Sequence, residues 1–224
     1  LSALFDSVML KDIMRRYKIR NSQQLYDLSN YLLANYTNLY SFNQLKSGLN
    51  FNSVSTVQKF IGYLSEPYLF MNLNRYDVKI KAQQKSPRKF YIIDNGFIKS
   101  RSFEISPNYG RLLENVVFTE LLRRHYKPGL DLFYYHTCNS REIDFICRKG
   151  HIVEQMIQVC YDISNPKTLK REITALVEAT DELECNNLLL ITWDKEEVIE
   201  QKGSVIKLLP AWKWLCGNMI EPIA

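Results

Sequence analysis

The sequence predicts an α+β protein built from two parts with different patterns. Residues 1–95 read as helices followed by a pair of strands, whereas residues 96–224 alternate helices and strands in an order expected for a mixed sheet. The charge changes at the same place: Leu1 to Ile93 holds 13 Lys and Arg against 5 Asp and Glu, and the remainder holds 16 against 19. We therefore predict two domains, 1–95 and 96–224.

Four helices are predicted in the first part, each with a polar residue near its start. Ser2 can cap the first helix, which runs to about Arg16, and Ser22 can cap the second. Ser41 precedes the third, FNQLKSGL, and Asn52 or Ser53 precedes the fourth, VSTVQKFIGYLSE. In the longer helices the apolar residues recur at helical spacing, which predicts one buried face for each.

After Pro67 the pattern changes to two strands, YLFMNLNRY and KFYIID, joined by a lysine-rich stretch. Short helices followed by a basic hairpin are the order of a winged helix-turn-helix, which we predict for this domain. The helix from Val54 to Ser65 would enter a DNA major groove, and the lysine-rich hairpin would contact phosphates. The candidate nucleic-acid-binding residues are Ser55, Thr56, Gln58, Lys59, Lys79, Lys81, Lys85, Arg88 and Lys89.

The charge of the hairpin favours a nucleic acid as the partner. From Arg75 to Lys89 there are six basic residues and one acidic residue, Asp77, and a segment of this charge attracts polyanions. Binding carried mainly by phosphates would fall steeply with salt and read little base sequence. The residues leave one alternative open, because winged helices also act as protein-docking modules.

A helix from Tyr109 to His125 opens the second part, with Glu114 beside its apolar stripe. Strands are predicted at LFYYHTC, REIDFICR and HIVEQMIQVCY, then a helix PKTLKREITALVEATDE, strands NLLLITW and VIKLLP, and a closing segment AWKWLCGNMI. In that segment Trp212 and Trp214 are predicted to pack, with base stacking as the alternative. The predicted apolar stripe of the first helix contains Leu112, Leu113, Val116, Val117, Leu121 and Leu122.

Two of these strands, REIDFICR and IVEQMIQVCY, meet at a Lys-Gly turn and carry polar residues among apolar ones. Asp144 lies in the first, and Gln158 and Cys160 share one face of the second, because strand side chains alternate. Buried polar groups need hydrogen-bond partners. These residues therefore mark either a functional cleft or a structural polar pocket between Asp144, Gln158 and Arg171.

The element order and the carboxylates resemble the PD-(D/E)xK phosphodiesterase superfamily, the restriction-endonuclease and Holliday-junction-resolvase type of fold. In that superfamily a helix supplies a Glu, one strand an Asp and the next strand an E-x-K. The resemblance implies that Glu114 and Asp144 hold Mg²⁺ or Mn²⁺, and that Gln158 and Cys160 stand at the E-x-K positions. Oxygen ligands suit these cations, and the metal stabilises charge on the phosphodiester.

The sequence departs from the superfamily at the E-x-K positions. Gln158 offers a neutral oxygen, and Cys160 replaces the lysine ammonium, so the implied catalytic set of Glu114, Asp144 and Gln158 would bind metal weakly. Three interpretations stay open: a site that cuts nucleic acid, a degenerate nuclease fold kept for binding or assembly, and a purely structural pocket. Cations that could reach the site from elsewhere are Lys149, Lys170 and Arg171.

Motifs over nearly the whole chain resemble the C-terminal region of prokaryotic AAA-type ATPases that carry a winged helix and a nuclease-like domain. The motifs are KDIMRRYKIRN, TVQKFIGYLSEPYLF, KFYIIDNGF, GRLLENVVFTELLRR, REIDFI, IQVCY and LKREITAL. The resemblance implies a DNA-binding region with a degenerate nuclease-like domain, and leaves an active Mg-dependent DNA endonuclease and a protein-interaction adaptor as alternatives. The chain lacks a G-x-x-x-x-G-K-[ST] and starts at Leu1, so we expect a fragment without the ATP-binding domain.

Composition narrows the location and the partners. No apolar run is long enough to cross a bilayer, and charges appear too early for a signal peptide, so we expect a cytoplasmic protein without a membrane partner. The five cysteines form no C-x-x-C and lie mostly in apolar runs, which predicts reduced, buried thiols, and the three histidines have no metal-ligand spacing. The expected partners are DNA, the ATPase domain of the same protein, and a protein partner or further copies of the chain.

Overall fold

In this computed structural model, residues 1–101 and 107–217 are described, and the chain divides into two compact units, Leu1–Leu130 and Asp131–Ala224. Both units combine helices with a sheet, so the fold is mixed α+β, as predicted. The helix that we expected to open the second domain, Tyr109–Arg123, lies in the first compact unit. The predicted domains 1–95 and 96–224 were defined by sequence patterns rather than by compactness, and this division stays a prediction.

Several helices of the first unit begin where a polar side chain caps free backbone amides. Ser41 and Ser53 cap two of them as predicted, each accepting a hydrogen bond from the backbone amide three positions later. The predictions for Ser2 and Ser22 were each wrong by one residue. Leu1 precedes the first helix without a side-chain cap, and in the second the Asn21 side chain accepts the bond from Gln24 N at 3.2 Å. The described helices of this unit are α1 (Ser2–Ser7), which continues as a π-helix (Val8–Arg15), α2 (Ser22–Ala34), α3 (Phe42–Gly48), α4 (Val54–Ser65), α5 (Ile80–Lys85), α6 (Asn95–Arg101) and α7 (Tyr109–Arg123).

The first unit has a small antiparallel sheet with the strand order β1-β3-β2. The two predicted strands, β2 and β3, pair from Phe70 opposite Ile92 to Asn74 opposite Arg88. Helix α5 interrupts the polar connection between them and buries none of its residues. The strands are β1 (Leu39–Tyr40), β2 (Phe70–Asn74) and β3 (Arg88–Ile92).

The core of the first unit joins its helices to this sheet through aromatic residues. The Phe70 ring packs edge-on against Phe5, at 6.4 Å between centroids, and against Phe90, at 5.9 Å. Each of these rings is almost fully buried, and burying aromatic side chains contributes strongly to stability. Leu64 of α4 belongs to the same core, so packing fixes α4 beside the β2–β3 hairpin.

The second unit has the predicted mixed sheet, with strand order β4-β5-β6-β7-β9-β8. Strands β6, β7 and β9 run parallel, and the other pairs are antiparallel. At the predicted Lys-Gly turn between β5 and β6, Gly150 has a φ of +60°, which glycine adopts without strain. The charged edge strand β8 was not predicted. The strands are β4 (Leu132–His136), β5 (Glu142–Lys149), β6 (Ile152–Cys160), β7 (Leu188–Thr192), β8 (Glu197–Gln201) and β9 (Ser204–Pro210).

Helix α8 (Pro166–Leu183) makes the crossover that the parallel strands β6 and β7 require. The closing segment forms α9 (Ala211–Cys216), on which Trp214 is buried and Trp212 is 63% exposed. The prediction that the two tryptophans pack therefore holds for Trp214 alone. Residues 218–220, the end of the predicted closing segment, lie outside the described residues. Within the described ranges, no helix has the length and apolar character needed to cross a membrane.

Candidate functional site

Glu114, the helix carboxylate predicted to bind metal, lies on α7 and contacts two residues of β3 within the first unit. Its Oε1 accepts hydrogen bonds from Lys89 Nζ at 2.8 Å and from Tyr91 OH at 2.7 Å. The Lys89 side chain is only 2% exposed, so this is a buried ion pair. The carboxylate offsets the cost of burying an ammonium and ties α7 to β3.

The neighbouring residue, Asn115, strengthens the same attachment of α7 to β3. Its Oδ1 accepts a hydrogen bond from Ile92 N at 2.9 Å, and its Nδ2 donates to Ile92 O at 2.7 Å. The Tyr91 ring stacks on Phe118 with 4.0 Å between centroids. The buried face of α7 thus includes polar residues, since hydrogen bonds satisfy them. The predicted apolar stripe is partly wrong, because three of its residues are only partly buried: Leu112, Val116 and Leu122.

Asp144 and Gln158 lie on the adjacent strands β5 and β6 of the second unit, and each binds the backbone of the other's strand. Gln158 Oε1 accepts a hydrogen bond from Asp144 N at 3.1 Å, and Asp144 Oδ2 accepts one from Val159 N at 3.0 Å. Both side chains are buried. These bonds satisfy the backbone amides of Asp144 and Val159, which lie just beyond the paired residues Phe145 and Ile157 of the two strands.

Glu172 on α8 joins these residues, although it was not predicted from the sequence. Its Oε2 accepts a hydrogen bond from Gln158 Nε2 at 2.6 Å, and its Oε1 accepts bonds from Arg171 Nε at 3.0 Å and Nη2 at 2.5 Å. Helical spacing could have identified Glu172, because it lies one turn before the buried Leu176. We refer to Asp144, Gln158, Arg171 and Glu172 as the polar cluster.

Cys160, at the end of β6, is the residue that the sequence resemblance aligned with the lysine of E-x-K. The prediction of buried thiols holds for Cys147, Cys160 and Cys185 and is wrong for Cys138 and Cys216, which are exposed. Burial raises the pKa of the Cys160 thiol to about 11, with the carboxylates of Glu172 and Asp144 acting in the same direction and Arg171 opposing them. The thiol is therefore protonated and neutral near neutral pH. It supplies neither the positive charge of a lysine nor the negative charge of a thiolate.

We expect Cys160 to react with iodoacetamide far more slowly than the exposed Cys216 at about pH 8, because only the thiolate is nucleophilic. The raised pKa also means that the neutral thiol stabilises the folded chain below about pH 9, and that this contribution is lost as pH rises toward 11. Timed alkylation followed by peptide mass spectrometry measures the rates. Equal rates for the two cysteines in the folded chain would contradict this description of Cys160.

Mg²⁺ and Mn²⁺ bind several oxygen ligands and water, so a site for them in the second unit needs carboxylate oxygens that are free to coordinate. Asp144 Oδ2 binds a backbone amide, and both oxygens of Glu172 bind Gln158 or Arg171. In residues 1–101 and 107–217, no group of three or more His, Cys, Asp or Glu side chains is arranged to hold a metal ion. The polar cluster by itself does not fit such a cation, and a metal requirement of the whole protein stays a prediction.

The predicted nucleic-acid contacts of the first unit differ in exposure. On α4, Ser55, Gln58 and Lys59 are exposed, whereas Thr56 is partly buried and contacts the capping residue Ser53. On and beside α5, three lysines are exposed: Lys79, Lys81 and Lys85. Arg88 is partly buried, with its guanidinium 4.9 Å from the centre of the Phe42 ring. Lys89 differs from our expectation of a phosphate contact, because its ammonium is buried against Glu114.

Comparison with known families divides the chain into two matched segments. Residues 1–103 match a family described as a domain of unknown function (DUF8612). Residues 109–214 match another domain of unknown function (DUF4143), which includes α7 and the sheet of the second unit. No solved structure matches the chain.

Two curated prokaryotic relatives resemble the chain over most of its length. Uncharacterized protein MJ1544 of Methanocaldococcus jannaschii is 34% identical over 224 residues, covering 96% of this chain and 49% of that protein. An uncharacterized protein of Haemophilus influenzae is 32% identical over 167 residues, covering 73% of this chain and 40% of that protein. The chain thus spans about half the length, or less, of the curated relatives it matches.

Proposed function

We propose that this chain is the nucleic-acid-binding C-terminal region of an AAA-type ATPase, with a winged helix that contacts DNA and a PD-(D/E)xK-like domain that has lost cleavage. Two separate family matches, over residues 1–103 and 109–214, support a chain with two modules. The relatives are about twice as long as the aligned region, which leaves room for an ATPase domain in the complete protein. ATP binding would belong to that domain.

The observation that carries DNA binding is the exposed charge at one end of the β2–β3 hairpin. Lys79, Lys81 and Lys85 are exposed, and the described residues include no ion pair made by these three side chains. Unpaired ammonium groups release counterions from DNA when they contact phosphates. Gln58 and Lys59 on the exposed face of α4 are the side chains suited to reach base edges.

The loss of cleavage is supported by the chemistry of the polar cluster. An amide at Gln158 donates to Glu172 at 2.6 Å, where an active superfamily member would have a negatively charged metal ligand. The neutral thiol of Cys160 cannot replace an ammonium in positioning the attacking water. A Mg-dependent nicking assay on linear, branched and single-stranded DNA tests the endonuclease alternative. Activity that Asp144→Asn abolishes would overturn the proposed loss of cleavage.

Duplex binding is tested by fluorescence anisotropy over a series of KCl concentrations. We expect the triple variant K79A/K81A/K85A to bind duplex DNA more weakly. The slope of log affinity against log salt should flatten by roughly 0.9 for each lost contact, or about 2.7 in total. The matched control K149A/K202A/K207A removes three exposed lysines of the second unit and should leave both quantities nearly unchanged.

A protein-docking adaptor is the second candidate, and one observation favours it. Val78 and Ile80 are exposed apolar side chains that alternate with the same lysines, and exposed apolar groups often mark protein contacts. If K79A/K81A/K85A binds duplex DNA with the affinity and salt slope of the unmodified chain, DNA binding by this surface is rejected and the adaptor is favoured.

A further inference from the structure

Two aromatic residues extend from the carboxyl ends of neighbouring parallel strands in the second unit. Cys160 and Thr192 are the last paired residues of β6 and β7, so Tyr161 and Trp193 follow side by side. Their ring centroids are 5.1 Å apart and the rings are tilted by 39°. Trp193 is nevertheless 55% exposed. We call these two residues the aromatic pair. In open α/β sheets, ligands bind at this end of parallel strands.

The turn that carries Trp193 is held in place before any ligand arrives. The buried Thr192 hydroxyl donates to Lys195 O at 2.8 Å and accepts from Lys195 N at 3.0 Å. Lys213 of α9 makes an ion pair with Glu196 of the same turn, at 2.5 Å. A large exposed ring on a fixed turn loses little conformational freedom on binding. Such a ring suits a flat partner.

The charges near the aromatic pair indicate the kind of flat partner. Lys195 lies on the turn itself and is exposed. Lys167, Lys170 and Arg171 lie on the first turns of α8, which follows Tyr161 in the chain. Exposed carboxylates also lie in these segments: Asp162 beside Tyr161, and Asp194, Glu196 and Glu197 after Trp193, where Glu196 is paired with Lys213. Cations outnumber carboxylates on the Tyr161 side alone, three against one over residues 161–171. Aromatic rings with surrounding cations are the combination that binds single-stranded nucleic acid.

We propose that the aromatic pair binds an unpaired base of a single-stranded nucleic acid by stacking, with Lys195 and the lysines at the start of α8 contacting the flanking phosphates. This site goes beyond the proposed duplex-binding surface, because it lies in the second unit and recognises a different form of nucleic acid. Every base has a flat face, so binding should tolerate all sequences.

Anisotropy with a short fluorescein-labelled oligothymidylate measures the affinity of this site. We expect W193A to bind at least roughly tenfold more weakly, because stacking on one aromatic residue is lost. W193F keeps an aromatic ring and should stay within about threefold of the unmodified chain. Val198→Ala changes an exposed apolar residue on β8 and serves as the control without an expected effect.

The result can be separated from that of duplex binding. K79A/K81A/K85A should weaken duplex binding. When W193A is added to this triple variant, it should still lower the affinity for oligothymidylate. Equal oligothymidylate affinities for W193A, W193F and the unmodified chain would overturn the inference. So would quenching of tryptophan fluorescence by a short arginine-rich peptide but not by oligothymidylate, since the pair would then be a protein-binding surface.

Discussion

Replacing Glu114 with Ala should lower the free energy of unfolding by about 3 kcal/mol, because it removes the carboxylate from a buried ion pair. The ammonium of Lys89 is 2.8 Å from Glu114 Oε1, and its side chain is 2% exposed. Tyr91 loses the same acceptor. Urea unfolding followed by circular dichroism measures the change, and the first unit should account for it.

Two control variants make this result specific. Glu114→Gln keeps an acceptor oxygen for Lys89 and Tyr91, so we expect a smaller loss of stability than with Ala. Glu196→Ala removes one partner of an ion pair whose two side chains are about half exposed, and it should change stability little. If Glu114→Ala is no more harmful than Glu196→Ala, the attachment of α7 to β3 does not depend on this pair.

The structural role of Glu114 affects any test of nuclease activity. A variant that weakens the attachment of α7 could lose activity simply because it unfolds. Glu114→Gln and Asp144→Asn remove charge while keeping shape and hydrogen-bonding oxygens, so they separate a metal-binding role from a structural one.

Replacing Gln158 with Leu should lower the free energy of unfolding of the second unit by about 3 kcal/mol, because two hydrogen bonds are lost at once. Gln158 accepts from Asp144 N and donates to Glu172, and all three residues are buried. Urea unfolding measures this loss. Gln155→Leu on the same strand is the matched control: Gln155 makes one long bond, 3.3 Å to Asn187, and should cost about 1 kcal/mol.

Gln158→Glu gives the same cluster a pH dependence. Burial beside Glu172 would raise the pKa of the introduced carboxyl, because two negative charges would meet at hydrogen-bond distance. A raised folded-state pKa means that stability is present at acidic pH and is lost as pH rises. We expect this variant to be closer in stability to the unmodified chain at about pH 5 than at about pH 8. Equal differences at both pH values would show that Gln158 and Glu172 are not in contact.

Much of the fold could be predicted from periodicity, and two of the missed elements, β8 and α5, share a physical cause. The alternation in REIDFICR and IVEQMIQVCY identified β5, β6 and their turn. Strand β8 was missed because it is an edge strand with Glu197 and Glu200, which need no buried face. Helix α5 was missed because its sequence, IKAQQK, has no apolar periodicity and the helix buries nothing.

The candidate site was only partly predictable, because its polar residues are satisfied by distant elements. Asp144 and Gln158 could be identified from their places among apolar strand residues. Lys89 resembled the other residues of a basic run, and its burial depends on Glu114, which is 25 positions away in the chain. Glu172 likewise meets Gln158 only after α8 packs on the sheet, a contact that strand alternation does not contain.

The crossover of α8 has a consequence for the order in which the second unit folds. Strands β5 and β6 meet through a tight turn, whereas β7 reaches β6 only after a segment of about 30 residues closes, which costs roughly 2 kcal/mol more loop-closure entropy. The polar cluster spans β5, β6 and α8, so it is completed late. Substitutions in the cluster should therefore accelerate unfolding more than they slow folding.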